Sequence, residues 1–491
     1  MENSTPPNAS APESGAKQSL TRRTFLRSSA ITGAGFSVLS SRSASAQSNG
    51  SSDLKVALIG NGAQGEALME SAKFLIPEGI RITAVCDIWD FKREAMARRI
   101  NAYWKEMPES YKDFDEFIAN GIDKVDCCVI AVPDFLHAPF SRACLEAGKP
   151  TYCEKMMSNT LEAAADMVRA QRETGKLLQI GHQRRSNPRY LHLRNNLVHG
   201  NKIFGRVTHS YGQWNRAADS STLSLEKKAA DKLPPGLLEK YGYGSPQEFF
   251  YWRLFKKYGG GVISDLGAHQ IDLFNWFYKA TPKSVIASGG TNYHKDYEFE
   301  DNVMCIYEYE TDTGAADGEK EIARAYYQVL TTTSSQGFYE KYMGVNGTAV
   351  MSEVPGNGNE AYREAAAPDW RAEKLVEQGL LKNLSSEIHN KFWEKPKPWH
   401  RAPAWMDSEG VVDARVSKGL DPFSLPVVLD VRPHTPHLKN FFDTVRANGK
   451  QEDLNCTVED AYRTCVTVLK IRESLASGAK YTFTPEDFTV V

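Results

Sequence analysis

Two ionisable residues near the middle of the chain have types and spacing suited to acid–base chemistry. The stretch GGGVISDLGAHQID places Asp265 and His269 one helical turn apart, behind the glycines at 259–261. An imidazole beside a carboxylate can accept a proton from a hydroxyl group, while the carboxylate orients the ring and stabilises the imidazolium that forms. The glycines allow the chain to turn tightly before the helix begins. The pattern therefore predicts a general base at His269, assisted by Asp265.

A glycine motif near residue 60 predicts a dinucleotide site. The motif follows the β-rich run KVALI and opens a helical pattern. Its glycines permit a tight turn and close approach of the backbone to a pyrophosphate, which the free N–H groups of the helix N-terminus bind. If the ligand is a nicotinamide dinucleotide, His269 is the base that removes the hydroxyl proton of a secondary alcohol as hydride leaves. The residues of this motif are Gly60, Asn61, Gly62, Ala63, Gln64 and Gly65.

An acidic residue downstream bears on which dinucleotide binds. Asp87 directly follows the second β-rich run, RITAVC. A carboxylate at this position accepts hydrogen bonds from the adenosine ribose and repels a 2′-phosphate, which favours NAD over NADP. The alternative is that Asp87 is an ordinary turn residue before Trp89.

The arrangement of apolar runs predicts the fold that positions these residues. From residue 53, short β-rich runs alternate with helical patterns, which is typical of a parallel sheet covered on both faces. We therefore expect an α/β Rossmann domain at 53–180. The later runs DNVMCIYEYE, ARAYYQVLTTT and KYMGVNGTAVMSE have strand-like composition with partial period-two patterning.

Three signatures, in this order along the chain, resemble the Gfo/Idh/MocA family of glucose-fructose oxidoreductase and inositol dehydrogenase relatives. The resemblance extends from about residue 55 to the C-terminal helices. It implies an α+β second domain at 181–491, with an open-faced, mostly antiparallel sheet. The segment 355–424 is polar, with tryptophan and proline scattered among short helical pieces, and is interpreted as an insertion. The signatures are a Pro-x-x-x-His turn from Pro133 to His137, a Glu-Lys-Pro motif present as Glu154-Lys155-Met156, and a Gly-Gly-x-x-x-Asp-x-x-x-His segment ending at His269.

The resemblance also implies roles for single residues. Lys155 is expected to donate a hydrogen bond to the substrate hydroxyl, beside Asp265 and His269, and to stabilise developing alkoxide charge. Met156 stands where the family usually has proline, which bears on the placement of this lysine. His137 is expected to pack near the nicotinamide rather than to act as a base. The cofactor-binding residues thus implied, beyond the glycine motif and Asp87, are Pro133, His137, Glu154 and Lys155.

Aromatic residues beside polar ones suggest a carbohydrate pocket. The segments YGQWNR and FFYWRLF can supply stacking faces and hydroxyl partners. Burial in the core is the alternative for the aromatic residues. Asp272 can instead satisfy a local backbone group, and the charged residues after the last strand of the nucleotide domain, including Arg184, can instead begin a helix. The candidates for contact with a sugar are Arg184, Trp214, Trp252, Arg253 and Asp272.

Composition excludes several classes of partner. With 59 basic and 61 acidic residues, the chain lacks the basic excess of a nucleic-acid-binding protein. No segment beyond the N-terminal leader is apolar enough to insert stably in a membrane. The eight cysteines lack the spacing of a metal site and are expected to be buried thiols. The partner is therefore expected to be a small molecule, with no metal.

The N-terminal residues 1–46 have the features of a cleaved export signal. The segment TRRTFLR at 21–27 precedes a short apolar run at 30–39, and small residues stand at Ala44 and Ala46. This order is typical of a twin-arginine signal cleaved after Ala46, which predicts a periplasmic or otherwise exported protein. The twin-arginine route carries folded proteins, so it does not imply disulfides.

Export constrains the function, because an exported dehydrogenase has no pool of free cofactor. The sequence therefore predicts an exported NAD(P)-dependent oxidoreductase acting on a secondary hydroxyl of a sugar or glycoside, with NAD bound tightly and recycled in the site. One alternative is a redox-neutral glycoside hydrolase, lyase or epimerase that uses transient oxidation. Another is a non-catalytic sugar-binding protein with structural NAD. The resemblance also implies a homodimer or homotetramer that associates through the second sheet.

Overall fold

Two sheets organise the part of the chain that the structure describes. The computed structural model describes residues 53–218, 233–312, 318, 320–354, 359–384 and 422–491. The predicted export signal at 1–46 lies outside these residues.

The first sheet is parallel, with strand order β3-β2-β1-β4-β5-β6. This order is that of a Rossmann fold and confirms the predicted α/β class. The sequence reasoning missed the third strand, which has only three residues, two of them exposed. The strands are β1 Leu54–Ile59, β2 Ile80–Cys86, β3 Glu109–Tyr111, β4 Cys127–Ile130, β5 Thr151–Cys153 and β6 Leu178–Ile180.

Helices cover both faces of the first sheet because successive side chains of its central strand point to opposite sides. Val56 and Leu58 pack in one apolar cluster, whereas Ala57 and Ile59 pack in the other. The helices of this region are α1 Ala63–Ala72, α2 Asp90–Trp104, α3 Phe114–Asn120, α4 Asp134–Glu146 and α5 Leu161–Thr174.

The second sheet has ten strands in the described residues, in the order β14-β15-β13-β12-β11-β7-β10-β9-β8-β16. The β7–β10 pair is parallel, and the other pairs are antiparallel. This confirms the predicted mostly antiparallel sheet. Its strands are β7 Val207–Asn215, β8 Ser284–Gly290, β9 Asn302–Asp312, β10 Lys320–Leu330, β11 Phe338–Gly344, β12 Gly347–Met351, β13 Glu360–Arg363, β14 Lys382–Asn383, β15 Phe423–Ser424 and β16 Tyr481–Thr482.

Helices cover one face of the second sheet and are bonded to it. Tyr307 of β9 donates a hydrogen bond of 3.0 Å to the carbonyl of Thr467, and Tyr309 donates one of 2.7 Å to Asn275. These contacts hold the sheet against the helices that carry the candidate base. The remaining helices are α6 Pro188–Leu191, α7 Leu237–Lys240, α8 Pro246–Phe250, α9 Ala268–Tyr278, α10 Thr435–Arg446, α11 Val458–Leu469 and α12 Ile471–Ser477.

Two segments of the second predicted domain, residues 181–491, lie elsewhere or fold otherwise than the sequence suggests. Helix α10 packs Leu438, Phe441 and Phe442 into the apolar cluster of β1 and α1, so the chain returns to the first sheet near its C-terminus. Within the predicted insertion at 355–424, the described residues form β13, β14 and β15 rather than short helices. These strands extend the edge of the second sheet.

The cysteines lie in the interior of the protein. All eight cysteines are buried with free thiols, as predicted. In the described ranges, no helix combines the length and the apolarity that crossing a bilayer requires.

Candidate active site

A cavity of about 940 Å³ extends from the glycine motif to the candidate base. Gly60, Gly62 and Asp87 line one end, and Lys155 and His269 line the other. Because both ends belong to one cavity, a dinucleotide bound along the carboxyl ends of the first sheet reaches the second domain's candidate base.

The glycine motif shapes one wall of this cavity. Gly60 has a φ of +91°, and a Cβ there would lie 2.4 Å from the carbonyl oxygen of Ala131. A Cβ added at Gly62 would meet no heavy atom within 4 Å, and the N-terminus of α1 has no side-chain cap. Open space next to uncapped N–H groups fits a pyrophosphate, so these residues are compatible with a bound dinucleotide.

Asp87 follows β2 and is held at the rim of the glycine turn. Its carboxylate accepts hydrogen bonds from the N–H groups of Asn61, at 2.6 Å, and Trp89, at 2.8 Å. Burial raises the pKa of Asp87, opposed by these two N–H groups. The two bonds fix the carboxylate beside the cavity, where each oxygen retains lone-pair capacity for a ribose hydroxyl.

The Pro133–His137 turn supports the loop that carries Lys155. The His137 ring nitrogens lie 2.5 Å from the carbonyl oxygen of Met156 and 2.8 Å from that of Val132. Burial lowers the pKa of His137 to about 4, so the ring is neutral and donates to one of these carbonyls. The interpretation of His137 as a packing residue, rather than a base, fits this geometry.

Glu154 lies at the start of the same loop and is buried. It accepts hydrogen bonds from Tyr152, at 3.1 Å, and from the N–H of Lys155, at 3.2 Å. The Lys155–Met156 peptide is cis. Pro133, His137, Glu154 and Lys155 all line the cavity.

The carboxylate of Asp265 binds two cations. Its Oδ1 accepts a hydrogen bond of 2.9 Å from Arg253 Nε and lies 3.6 Å from Lys155 Nζ. Lys155 also donates to the backbone carbonyl of Asp265. Although burial raises it, Arg253 and Lys155 hold the pKa of Asp265 well below its usual range. The carboxylate is therefore ionised and anchors the lysine.

His269 lies at the start of α9, with its ring 5.3 Å from the ring of Trp214. Burial and the charge of Lys155 hold the pKa of His269 well below its usual range, so the imidazole is neutral, which is the form that a general base requires.

The predicted contact between Asp265 and His269 is wrong. No hydrogen bond or ion pair joins these two described side chains, and Asp265 binds Lys155 and Arg253 instead. The reason is local geometry, because Ile263–Gly267 forms a wide π-helical turn before α9 begins. Residues four apart across such a turn do not align as they do in an α-helix.

Two predicted sugar contacts lie outside the cavity. Arg184 is buried and pairs with Glu340. Asp272 is buried and accepts hydrogen bonds from Arg185, at 2.8 Å, and Thr464, at 2.8 Å. Asp272 is satisfied by its partners in the core. Arg184 pairs with Glu340 and lies 3.6 Å from Glu353, although its Nε and Nη2 have no hydrogen-bond partner. Both charged residues therefore pack between elements rather than line the cavity.

The other three candidates for sugar contact do line the cavity. Trp214 and Trp252 belong to its lining. The Trp214 ring stacks on Phe338, with centroids 4.2 Å apart, and the Arg253 guanidinium lies 4.2 Å from the centroid of the Trp252 ring. Arg253 thus lines the cavity and also holds the carboxylate of Asp265.

Several residues that line the cavity belong to no sequence motif and were not predicted from the sequence. Asp134 is the most chemically notable, because its carboxyl is buried beside Arg253, Lys155 and Asp265, and burial raises its pKa to about 7. Its position directly after Pro133 was the only available signal. The other missed lining residues include Gln183, Arg216, Tyr243, Glu353 and His434. Among the described residues, no group of three or more His, Cys, Asp or Glu side chains is placed to hold a metal ion.

Two regions of the chain match known families. Residues 54–182 match the oxidoreductase family with an NAD-binding Rossmann fold, and residues 240–340 match the GFO/IDH/MocA C-terminal domain. The first match contains the glycine motif, Asp87 and Lys155, and the second contains Asp265 and His269.

Among curated proteins, the chain is similar to inositol 2-dehydrogenase of Rubrobacter xylanophilus. The two are 33% identical over 237 residues, which is 48% of this chain and 55% of the relative. The chain thus matches about half the length of that protein.

Solved structures show the same fold. A levoglucosan dehydrogenase in complex with NADH and L-sorbose has a TM-score of 0.61 at 16% identity, covering 88% of this chain and 100% of the other. The WlbA dehydrogenase from Chromobacterium violaceum, in complex with NADH and UDP-GlcNAcA, has a TM-score of 0.59 at 17% identity, covering 89% and 97%.

Proposed function

Because the chain carries the NAD-binding and C-terminal domains of the Gfo/Idh/MocA oxidoreductase family, we propose that it is an NAD-dependent oxidoreductase acting on a secondary hydroxyl of a sugar or glycoside. The observation that carries the proposal is the gathering of Lys155, Asp265 and His269 at one end of the cavity that begins at the glycine motif. The dehydrogenase relatives support this activity over the redox-neutral and non-catalytic alternatives.

The proposed roles follow from charge and protonation. When bound, NAD supplies the acceptor for hydride. The neutral imidazole of His269 accepts the hydroxyl proton of the substrate. Lys155, anchored by Asp265, donates a hydrogen bond to the same oxygen and stabilises its developing negative charge. Trp214 and Trp252 provide faces against which a pyranose ring stacks.

The proposal is tested on purified protein. The protein is denatured, the released NAD(H) and NADP(H) are quantified per chain, and intact protein is then mixed with a panel of polyols, free sugars and glycosides while NADH formation is followed. We expect near-stoichiometric NAD(H) and reduction of NAD⁺ by a subset of the panel. Protein that neither carries nor binds a nicotinamide dinucleotide contradicts the proposal.

We further propose that the protein is exported with its cofactor bound. The paired arginines at 22 and 23 and the small residues before the cleavage point support a twin-arginine signal. A retained cofactor must be reoxidised in the site by a second carbonyl compound. Cell fractionation of the wild type and of the Arg22→Lys, Arg23→Lys variant tests export, and retention of both proteins in the same compartment contradicts it.

The open face of the second sheet supports association of copies of this chain. On that face Ile286, Ile306, Tyr326 and Tyr211 form a continuous row across four neighbouring strands. Ile306 is 40% exposed and Ile286 is 41% exposed. An apolar row of this kind on an uncovered sheet fits a dimer or tetramer interface.

A further inference from the structure

A segment of the second domain covers the cavity at the end where Asp87 lies. This segment, residues 240–250, contributes four aromatic side chains to the lining beside Trp89 and Asp87. They are Tyr241, Tyr243, Phe249 and Phe250. Residues 240–250 thus line the same cavity as the glycine motif, although they are far from it in sequence.

The aromatic segment packs directly on the first domain. The ring of Trp89 meets the rings of Phe249 and Phe250 edge-on, with centroids 6.1 Å and 5.7 Å away. Tyr243 is 5% exposed, and burial together with the negative charge of nearby Asp87 raises its pKa. The aromatic rings therefore enclose the place where Asp87 is expected to bind the adenosine ribose.

A polar latch joins the start of this segment to the first domain. Lys240 Nζ donates to Asp113 Oδ2 at 3.2 Å, and the Tyr241 hydroxyl donates to the same oxygen at 3.0 Å. Asp113 also caps α3, because its other oxygen accepts the N–H of Glu116 at 2.9 Å. Lys240 and Tyr241 thus bind a carboxylate that is already held in place at the N-terminus of α3.

Internal hydrogen bonds give the segment a defined shape. The Tyr258 hydroxyl contacts the carbonyl of Gly242, at 2.9 Å, and the carboxylate of Glu248, at 2.6 Å. Lys257 Nζ donates to the same Gly242 carbonyl at 2.7 Å. Tyr258 directly precedes the glycines at 259–261, so the segment is continuous with the turn that carries Asp265.

We propose that residues 240–250 form the outer wall of the adenosine half of the dinucleotide site, and that the latch to Asp113 slows release of the dinucleotide. The inference rests on the proposed function, since it needs a dinucleotide in the cavity. The enclosed surface is apolar and aromatic, which suits the face of a purine base. A wall that slows release also fits the proposal that the protein is exported with its cofactor bound.

The test measures release of the dinucleotide rather than turnover. A wall variant combines Phe249→Ala with Phe250→Ala, and a latch variant combines Lys240→Met with Tyr241→Phe. NADH release is followed by stopped-flow fluorescence during displacement by excess NAD⁺, and the affinity for AMP alone is measured by calorimetry. Tyr293→Ala is the matched control, because this ring is 64% exposed and lies outside the cavity lining.

We expect release from the wall variant to be at least ~10-fold faster, with a matching loss of AMP affinity, as removal of stacking faces implies. The latch variant should also release NADH faster, and because Lys240 is at the surface this variant tests the idea even if the wall variant unfolds. If both variants are folded, bind NADH and release it at the wild-type rate, the proposal about residues 240–250 is wrong, while the proposed function is unaffected. A wild-type protein that binds no NADH overturns both.

Discussion

Lys155 Nζ lies 3.6 Å from Oδ1 of Asp265, although the two residues are 110 positions apart in the chain. The lysine belongs to the loop after β5 of the first sheet, and the aspartate belongs to the turn before α9. Because Asp265 is ionised and also holds Arg253, it orients the lysine ammonium without being available as a base. In the proposed mechanism, the proton-accepting role is therefore assigned to His269.

Replacing Lys155 should impair the chemical step more than binding. In Lys155→Met, the substrate oxygen loses its cationic donor, and kcat should fall by about 10²- to 10³-fold, with a smaller change in KM. Steady-state kinetics on the preferred sugar measure the effect. Lys176→Met is the control, because Lys176 is an exposed residue outside the cavity lining. Equal activity of the two variants would exclude Lys155 from catalysis.

The pH profile should identify His269 as the base. Burial and Lys155 lower its pKa, so the imidazole stays unprotonated through neutral pH and loses its base function only as the pH falls through that lowered value. Sugar oxidation should therefore persist below pH ~6.5, the ordinary histidine value, before it declines. In His269→Gln, the rate should fall about 10²- to 10⁴-fold, and the acid limb should vanish. An unchanged acid limb in this variant contradicts the assignment.

The local parts of this architecture could be predicted from the sequence. The glycine motif, Asp87 and the alternation of strands with helices depend on short-range patterns, and the parallel sheet followed from them. The pairing of Asp265 with Arg253 could not be predicted, because it depends on a wide helical turn at 263–267 that no spacing rule signals. The same limit applies to Arg184, whose partner Glu340 lies on a distant strand.

The aromatic wall shows a second limit of sequence reasoning. The segment FFYWRLF suggested sugar contacts, and Trp252 with Arg253 does line the cavity. Phe249 and Phe250, however, pack against Trp89 at the opposite end. Side chains of one short segment thus serve both ends of the cavity, which only the three-dimensional path of the chain reveals.

Asp134 should lower the stability of the protein at neutral and higher pH. Burial raises its folded pKa to about 7, above the unfolded value of ~3.9, so the folded state binds more protons between these values and stability falls as the pH rises through this window. The change in the free energy of unfolding caused by Asp134→Asn should therefore be more favourable at pH 8 than at pH 4, by up to about 4 kcal/mol. Urea unfolding of both proteins at the two pH values measures this difference. A variant that is destabilised equally at the two pH values would show that neighbouring groups compensate for burial of the ionised Asp134 carboxylate.

The open sheet face should control the oligomeric state. Ile306→Glu places a charge in the centre of the exposed apolar row, and since Ile306 is 40% exposed, the fold of the single chain should tolerate it. Light scattering after gel filtration should show a dimer or tetramer for the wild type and a monomer for the variant. Val428→Glu is the control, because Val428 is 72% exposed and lies outside the ten strands. A monomeric wild type rejects the predicted interface.

Asp87 should select NAD over NADP. In Asp87→Ser, the negative charge that repels a 2′-phosphate is lost, while a side-chain oxygen remains near the N–H groups of Asn61 and Trp89 that now donate to the carboxylate. The ratio of the Kd for NADPH to that for NADH should fall at least ~10-fold, because one lost charge-assisted hydrogen bond costs about 1.5–3 kcal/mol. Fluorescence titration of the cofactor-free protein with each dinucleotide measures the ratio. Since Asp87 also holds the glycine turn, a melting curve of the variant must match the wild type for the comparison to report on recognition. A folded variant with the wild-type ratio would mean that Asp87 acts only as the turn residue that precedes Trp89.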